Sequence, residues 1–243
     1  MAINDFSMDS KQVYDVLKKK GVNNFHNANT VLTSLTYIEH RALLSRKYVD
    51  LNGLKQTVQT SDDKDKKVDV YDDLFLDGTD LHLKYRRNNL YGPVLFILKL
   101  DLLLMPDFSR MFITKNNPIY WDETRDRGEY YYNDIKELER DYLTGEKLRD
   151  GRIMFTFKNK DAKLTLNKYC EKIILDDPNK KVNINGVSFR IVDRAKEKLE
   201  IKLKEKGLGR IPVEIRHSGL DITCCAWNYY WMKEPELRKN FGT

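Results

Sequence analysis

The apolar residues of this chain come only in short runs, and that limits what it can build. Residues 94–98 (VLFIL) form a run of five and residues 102–105 (LLLM) a run of four. A membrane-spanning helix needs roughly 20 consecutive apolar residues, so no span is expected. The run behind Tyr91-Gly92-Pro93 reads instead as a buried strand. MFITK at 111–115 and IMFTFK at 153–158 read as two more. The clearest helix covers 189–206, where Val192, Ala195 and Leu199 make an apolar stripe. Lys196 with Glu200 and Glu200 with Lys204 pair at i, i+4 on it, and Gly207 closes it. A chain of 243 residues with 41% hydrophobic residues can bury one core, which predicts a single α+β domain over 1–243.

Other elements follow from caps and turns. Asp9-Ser10 opens a helix through KQVYDVLKKK to Gly21, and 22–26 reads as a brief strand. Asn29 caps a helix in which Val31, Leu35 and Ile38 share a face, ending near Arg41. Residues 50–70 read as a long polar loop, with a further turn at Gly78. Asp134 caps a helix through Tyr142, ended by Gly145. Residues 164–171 read as a helix with Leu166 and Cys170 on one side, followed by turn chemistry in DDPNKKVNING. IPVEIRH at 211–217 and the 221–232 segment complete the chain, with Cys224 and Cys225 on alternate faces of a strand.

The net charge of +6 is uneven. Residues 151–216 carry 17 Lys/Arg against 9 Asp/Glu, a basic C-terminal subregion, whereas residues 61–80 hold eight aspartates. A basic face can follow phosphates by releasing their counterions. It can equally be a solvated helix face, or meet the acidic stretch inside the fold. The opening MAINDFSMDSK carries acids and no apolar stretch, so no secretory signal is expected. Cys170, Cys224 and Cys225 make neither a disulfide framework nor a metal-ligand spacing, and the expected location is a reducing cytoplasm.

Nucleotide-cradle and nucleophile-elbow motifs are absent, as are HExxH and CxxC, and no metal site is expected. His26, His40, His82 and His217 are scattered. Asp72, Asp73, Asp77 and Asp80 form an acidic group of the kind a metal-dependent nuclease uses, but Lys99 and Asp101 on the following strand stand in the reverse order for it. Glu214 sits between Val213 and Ile215 and points to the opposite face, as an exposed polar position or as a catalytic carboxylate lining a cleft.

FHNANT at 25–30, the helix after it and ALLSR at 42–46 resemble the opening of ADP-ribosyltransferase-like folds, and most the DarT group of DNA-modifying members. YDDLFLDGTDLH, YGPVLFILKL and FITKNNPIYW follow in a similar order of elements, so the resemblance spans about 22–120. It implies a split antiparallel β-sheet core with surrounding helices, and NAD as substrate. It implies cofactor contacts from His26, Asn27, Asn29, Thr30 and Ser45, with the helix N-terminus after Asn29 turned to phosphate. Arg46 would neutralise pyrophosphate. Gln56, Gln59, Asp77 and His82 would belong to a substrate loop. The group's loop arginine has Lys66, Lys67 or the earlier Arg46 as its counterpart here. IMFTFK carries no acid, so Glu214 is the late-strand carboxylate that would stabilise the cationic ribose. The implied partner is nucleic acid, DNA before RNA, held by the basic subregion with Tyr130, Tyr131 and Tyr132 as stacking rings. A toxin or conflict protein with an antitoxin-like regulatory partner fits that reading. A non-catalytic binding module on the same fold and a metal-dependent nuclease are the alternatives.

Overall fold

The structure is a computed structural model and describes residues 6–84, 91–143, 152–158, 163–217 and 226–243. One eight-stranded sheet organises it. In spatial order the strands are Met8–Asp9, Arg110–Thr114, Met154–Phe157, Leu74–Asp77, Asn24–Asn29, Val94–Lys99, Cys170–Asp177 and Val213–His217. All neighbours are antiparallel except the last pair, which is parallel. A parallel pair needs a crossover, and this one is made by the hairpin Lys181–Ile184 with Val187–Arg190 and then the helix Ile191–Glu205. Val192, Ala195, Leu199 and Leu203 of that helix are buried in the main core. The Val and Leu side chains each contribute about 1.5–3 kcal/mol when fully removed from water, and the Ala195 methyl less.

The fourth and fifth strands of the sheet barely join. Their ladder consists of the single pair His26 with Asp77, whereas Asn24–Asn29 pairs along its whole length with Val94–Lys99 on its other side. The sheet is therefore two four-stranded halves meeting at one point. The main core covers one face of both halves. On the other face, a smaller cluster of Phe6, Val68, Val70, Phe112, Trp121 and Tyr131 covers the first half. Alternation along Arg110–Thr114 makes this visible, because Met111 and Ile113 enter the main core and Phe112 the smaller cluster.

The caps behave as their chemistry requires. Asp9 Oδ1 accepts from the Gln12 N–H at 2.9 Å, and Asp134 Oδ1 from the Glu137 N–H at 2.9 Å. The second helix, Val31–Glu39, is capped by Thr30 rather than Asn29, because the strand runs on to Asn29 and turns in one residue later. Residues 50–70 are not a bare loop: the short helix Arg46–Leu51 runs into the segment and a second, Asp62–Lys67, lies within it. The helix expected at 164–171 is one turn, Leu166–Tyr169, and the chain then becomes the buried strand Cys170–Asp177. Residues 187–190 are a hairpin strand, so the long helix starts at Ile191. Cys224, Cys225 and Gly145 lie outside the described residues, and the end of the 221–232 segment is a helix, Ala226–Trp231. Among the described residues no helix is long and apolar enough to cross a membrane.

Candidate functional site

A crevice of 110 Å³ opens where the two halves of the sheet part. Asn27, Ala28 and Asn29 form one wall, and Asp73, Leu74, Phe75 and Asp77 the other. With backbone pairing confined to His26 and Asp77, side chains complete the junction. Asn27 Nδ2 donates to the Phe75 carbonyl at 2.9 Å, and Asn29 Nδ2 donates to Asn27 Oδ1 at 2.6 Å. This explains why a strand inside the molecule reads NFHNAN rather than as a run of apolar residues. Tyr91, Asn117 and Pro118 close one side of the crevice, and Arg46, Gln59, Ser61 and Asp65 the other.

Arg46 is held rigidly. Its Nε and Nη2 donate to the two oxygens of Asp62 at 3.0 and 2.6 Å, and Nη2 also donates to the Thr57 carbonyl at 2.9 Å. Only 12% of the Arg46 side chain and 9% of that of Asp62 is exposed. Nη1 of Arg46 is buried with no hydrogen-bond partner. A buried donor without a partner costs about 1–3 kcal/mol. Beyond Asp62 lies a second cavity of 390 Å³, lined also by Gln56, Lys66 and Tyr71, so the pair of Arg46 with Asp62 forms a wall between the two.

The carboxylates of the crevice are electrostatically unlike surface acids. Burial pushes Asp73 up to about 7 although Lys158 Nζ lies 2.8 Å from it. Burial pushes Asp65 up to about 6, with the neighbouring Asp62 charge adding to the effect and a Ser61 hydrogen bond and Arg46 opposing it. Tyr37, also in the lining, is pushed up to about 12 by burial and stays a neutral phenol.

Of the residues singled out in the sequence, the crevice gathers Asn27, Asn29, Arg46, Gln59 and Asp77. The others stand outside its lining. Thr30 caps its helix and shares a 2.7 Å hydrogen bond with Thr57. Ser45 caps Tyr48 and donates to Asp72 at 2.8 Å. Gln56 lies in the second cavity, where Nε2 donates to Asp50 at 2.7 Å and Oε1 is buried without a partner. His26 turns to the opposite face of its strand from Asn27, with Nδ1 3.3 Å from the Asp77 carbonyl, and burial lowers its pKa. His82 meets Asp176 at 2.7 Å. Glu214 is on the outermost strand, 52% exposed and 2.8 Å from Lys172. Two strands separate it from the strand of His26, roughly 14 Å at one strand spacing per step.

Tyr131 and Tyr132 are fully buried, and Tyr130 stacks on Trp121 at 4.8 Å, so these rings pack the protein rather than form an open stacking platform. The acids of 61–80 also turn apart: Asp72 to Ser45, Asp73 to Lys158, Asp80 to Arg216. Among the described residues no three His, Cys, Asp or Glu side chains are placed to hold a metal ion. Asp65, Asp73, Tyr91 and Asn117 line the crevice without having been singled out for it. Asp73 was marked in the sequence only as part of the acidic group with Asp72, Asp77 and Asp80, in a different chemical role.

No family model matches the sequence, and no curated protein matches it. Among solved structures, the fold is similar to that of a DarT from Thermus sp. 2.9 in complex with ADP-ribosylated ssDNA, with a TM-score of 0.50 and 10% sequence identity. The match covers 81% of this chain and 95% of that one, so the likeness extends across nearly the whole of the other molecule and concerns the fold.

Proposed function

We propose that the chain is a DarT-like ADP-ribosyltransferase that takes NAD at the sheet junction and transfers ADP-ribose to single-stranded nucleic acid. The observation that carries this reading is the crevice itself, with two asparagine amides on one wall and the buried, unsatisfied Nη1 of Arg46 on another. Sites that hold a whole drug-sized ligand run about 300–1,000 Å³, so 110 Å³ suits one ring, the rest of the dinucleotide lying across the rim. Asn27 and Asn29 would hold the carboxamide or ribose hydroxyls, and Arg46 a phosphate or ribose oxygen. Fixing the sugar while the nicotinamide ring is desolvated favours breaking the C1′–N bond, because nicotinamide leaves with the electron pair and the cationic ribose needs nearby negative charge. The DarT of similar fold was solved with ADP-ribosylated ssDNA, which supports the choice of acceptor.

The test is incubation of the full chain with NAD labelled in its adenylate and with single-stranded DNA, single-stranded RNA or duplex DNA. Free nicotinamide and label on single-stranded DNA are expected. Asn27→Ala, which removes one hydrogen-bonding side chain, should weaken NAD binding about tenfold by calorimetry. Absence of NAD consumption with every acceptor would overturn the reading. One observation favours a second reading, a non-catalytic nucleic-acid-binding module: the late-strand carboxylate Glu214 faces solvent. Salt-sensitive oligonucleotide binding without NAD consumption is its signature.

A further inference from the structure

We propose that Asp65 is the carboxylate that faces the reacting sugar in this crevice, in the role the resemblance implied for Glu214. The inference rests on the reading of the crevice as an NAD site. Among the described residues, the carboxylates lining it are Asp65, Asp73 and Asp77. Asp73 is committed to Lys158, which also lies over the Phe112 and Tyr131 rings. Asp77 pairs directly with His26, which puts its side chain on the His26 face of the sheet, opposite Asn27. Asp65 lies one helical turn beyond Asp62, on the short helix that Arg46 clamps. That clamp is reinforced by the Gln59 N–H on Asp62 at 2.9 Å and the Asp65 N–H on the Ser61 carbonyl at 2.8 Å. The helix cannot rotate without breaking these bonds, so Asp65 is fixed in the same wall as the unsatisfied Nη1 of Arg46.

The chemistry balances with the groups named. The C1′–N bond breaks and nicotinamide departs with its electron pair. The Asp65 carboxylate stabilises the cationic ribose. An N–H or O–H of the acceptor forms the new bond to C1′, and its proton passes to Asp65. A carboxyl raised to about 6 by burial is ionised at neutral pH yet basic enough to take that proton.

The experiment compares wild type, Asp65→Asn and Asp65→Glu, using NAD as the probe, and reads nicotinamide release, NAD affinity by calorimetry, Tm and the pH dependence of kcat. Asp65→Asn should lower kcat about 100-fold or more, with NAD affinity within about threefold of wild type. Its Tm at neutral pH should rise, because a half-buried charge is removed. Wild type should lose rate as pH falls through about 6, and Asp65→Glu should recover part of kcat. A residue with only a structural role would lower Tm and affinity together, and that pattern overturns the proposal. So does Asp65→Asn turning over like wild type, which leaves the NAD reading intact. Wild type that binds NAD without releasing nicotinamide overturns the proposal and favours the binding module. Wild type that neither binds nor cleaves NAD overturns the NAD reading, and the proposal with it.

Discussion

Arg46 and Asp62 show how much a single pair of side chains can decide. Both are nearly buried, and Asp62 accepts two guanidinium bonds and the Gln59 N–H. Arg46→Ala leaves that carboxylate buried without its counter-charge, which costs about 3–5 kcal/mol. Arg46→Lys keeps the charge but loses the fork, so it should cost less than Arg46→Ala while still loosening the hold on Asp62. Urea midpoints for the two variants check the order. Gly92 is the second decisive position. Its φ is +128°, and an added Cβ would lie 2.4 Å from the Thr30 nitrogen and 2.5 Å from the Asn29 carbonyl. That clash is with backbone, so Gly92→Ala must push back the end of the strand that carries Asn27 and Asn29. Strain of this kind costs about 1–3 kcal/mol, and the same denaturation series should show it together with weaker ligand binding. Asn27 and Arg46 entered the reading through the FHNANT and ALLSR segments that carry the resemblance, and both line the crevice. Asp65 did not enter it, because its role comes from a clamp between residues 16 apart that no local pattern encodes.

At the scale of elements, the edge strand Val213–His217 is fastened by charge. Arg216 donates to Asp176 and to Asp80 at 2.6 Å each, and His217 Nδ1 lies 3.0 Å from Asp177. Burial works against the Asp176 charge. The hydrogen bond and charge of His82, with those of Arg216, outweigh it and hold the carboxyl below its usual range. A carboxyl depressed in the folded state contributes stability that is present above the unfolded value, about 3.9, and lost as pH falls through the folded value. Asp176→Asn should therefore cost about 3–5 kcal/mol at neutral pH and flatten the acid limb of the stability profile. Hydrogen exchange should show the loss first in Val213–His217. Caps and the long helix were readable because they are local, as Asp9 and Asp134 show. Cys170–Asp177 was misread because a single helical turn precedes it, and its strand character comes from pairing on both sides. Glu214 faced away from the core as expected, but only the strand order reveals that its strand is the outermost one.

For the whole molecule, the question is how much of the basic excess in 151–216 is left for a nucleic acid. Its net charge of +8 overstates the supply. Among the described residues, Lys158 is taken up by Asp73, Arg216 by Asp80, and Lys202 and Lys206 share Glu39, and all three acids lie outside that segment. The acidic stretch thus meets the basic one inside the fold, as considered from the sequence, and about five unmatched charges remain. A single strand releases roughly 0.7 counterion per phosphate neutralised, so log K against log salt should have a slope no steeper than about −3.5. Fluorescence anisotropy of a labelled oligonucleotide between 50 and 300 mM salt measures it directly. A salt-independent affinity would remove nucleic acid as the acceptor. A slope much steeper than −3.5 would mean that charges outside 151–216 also contact the strand, and the flank of the crevice carrying Lys64 and Lys67 would then be the next surface to neutralise.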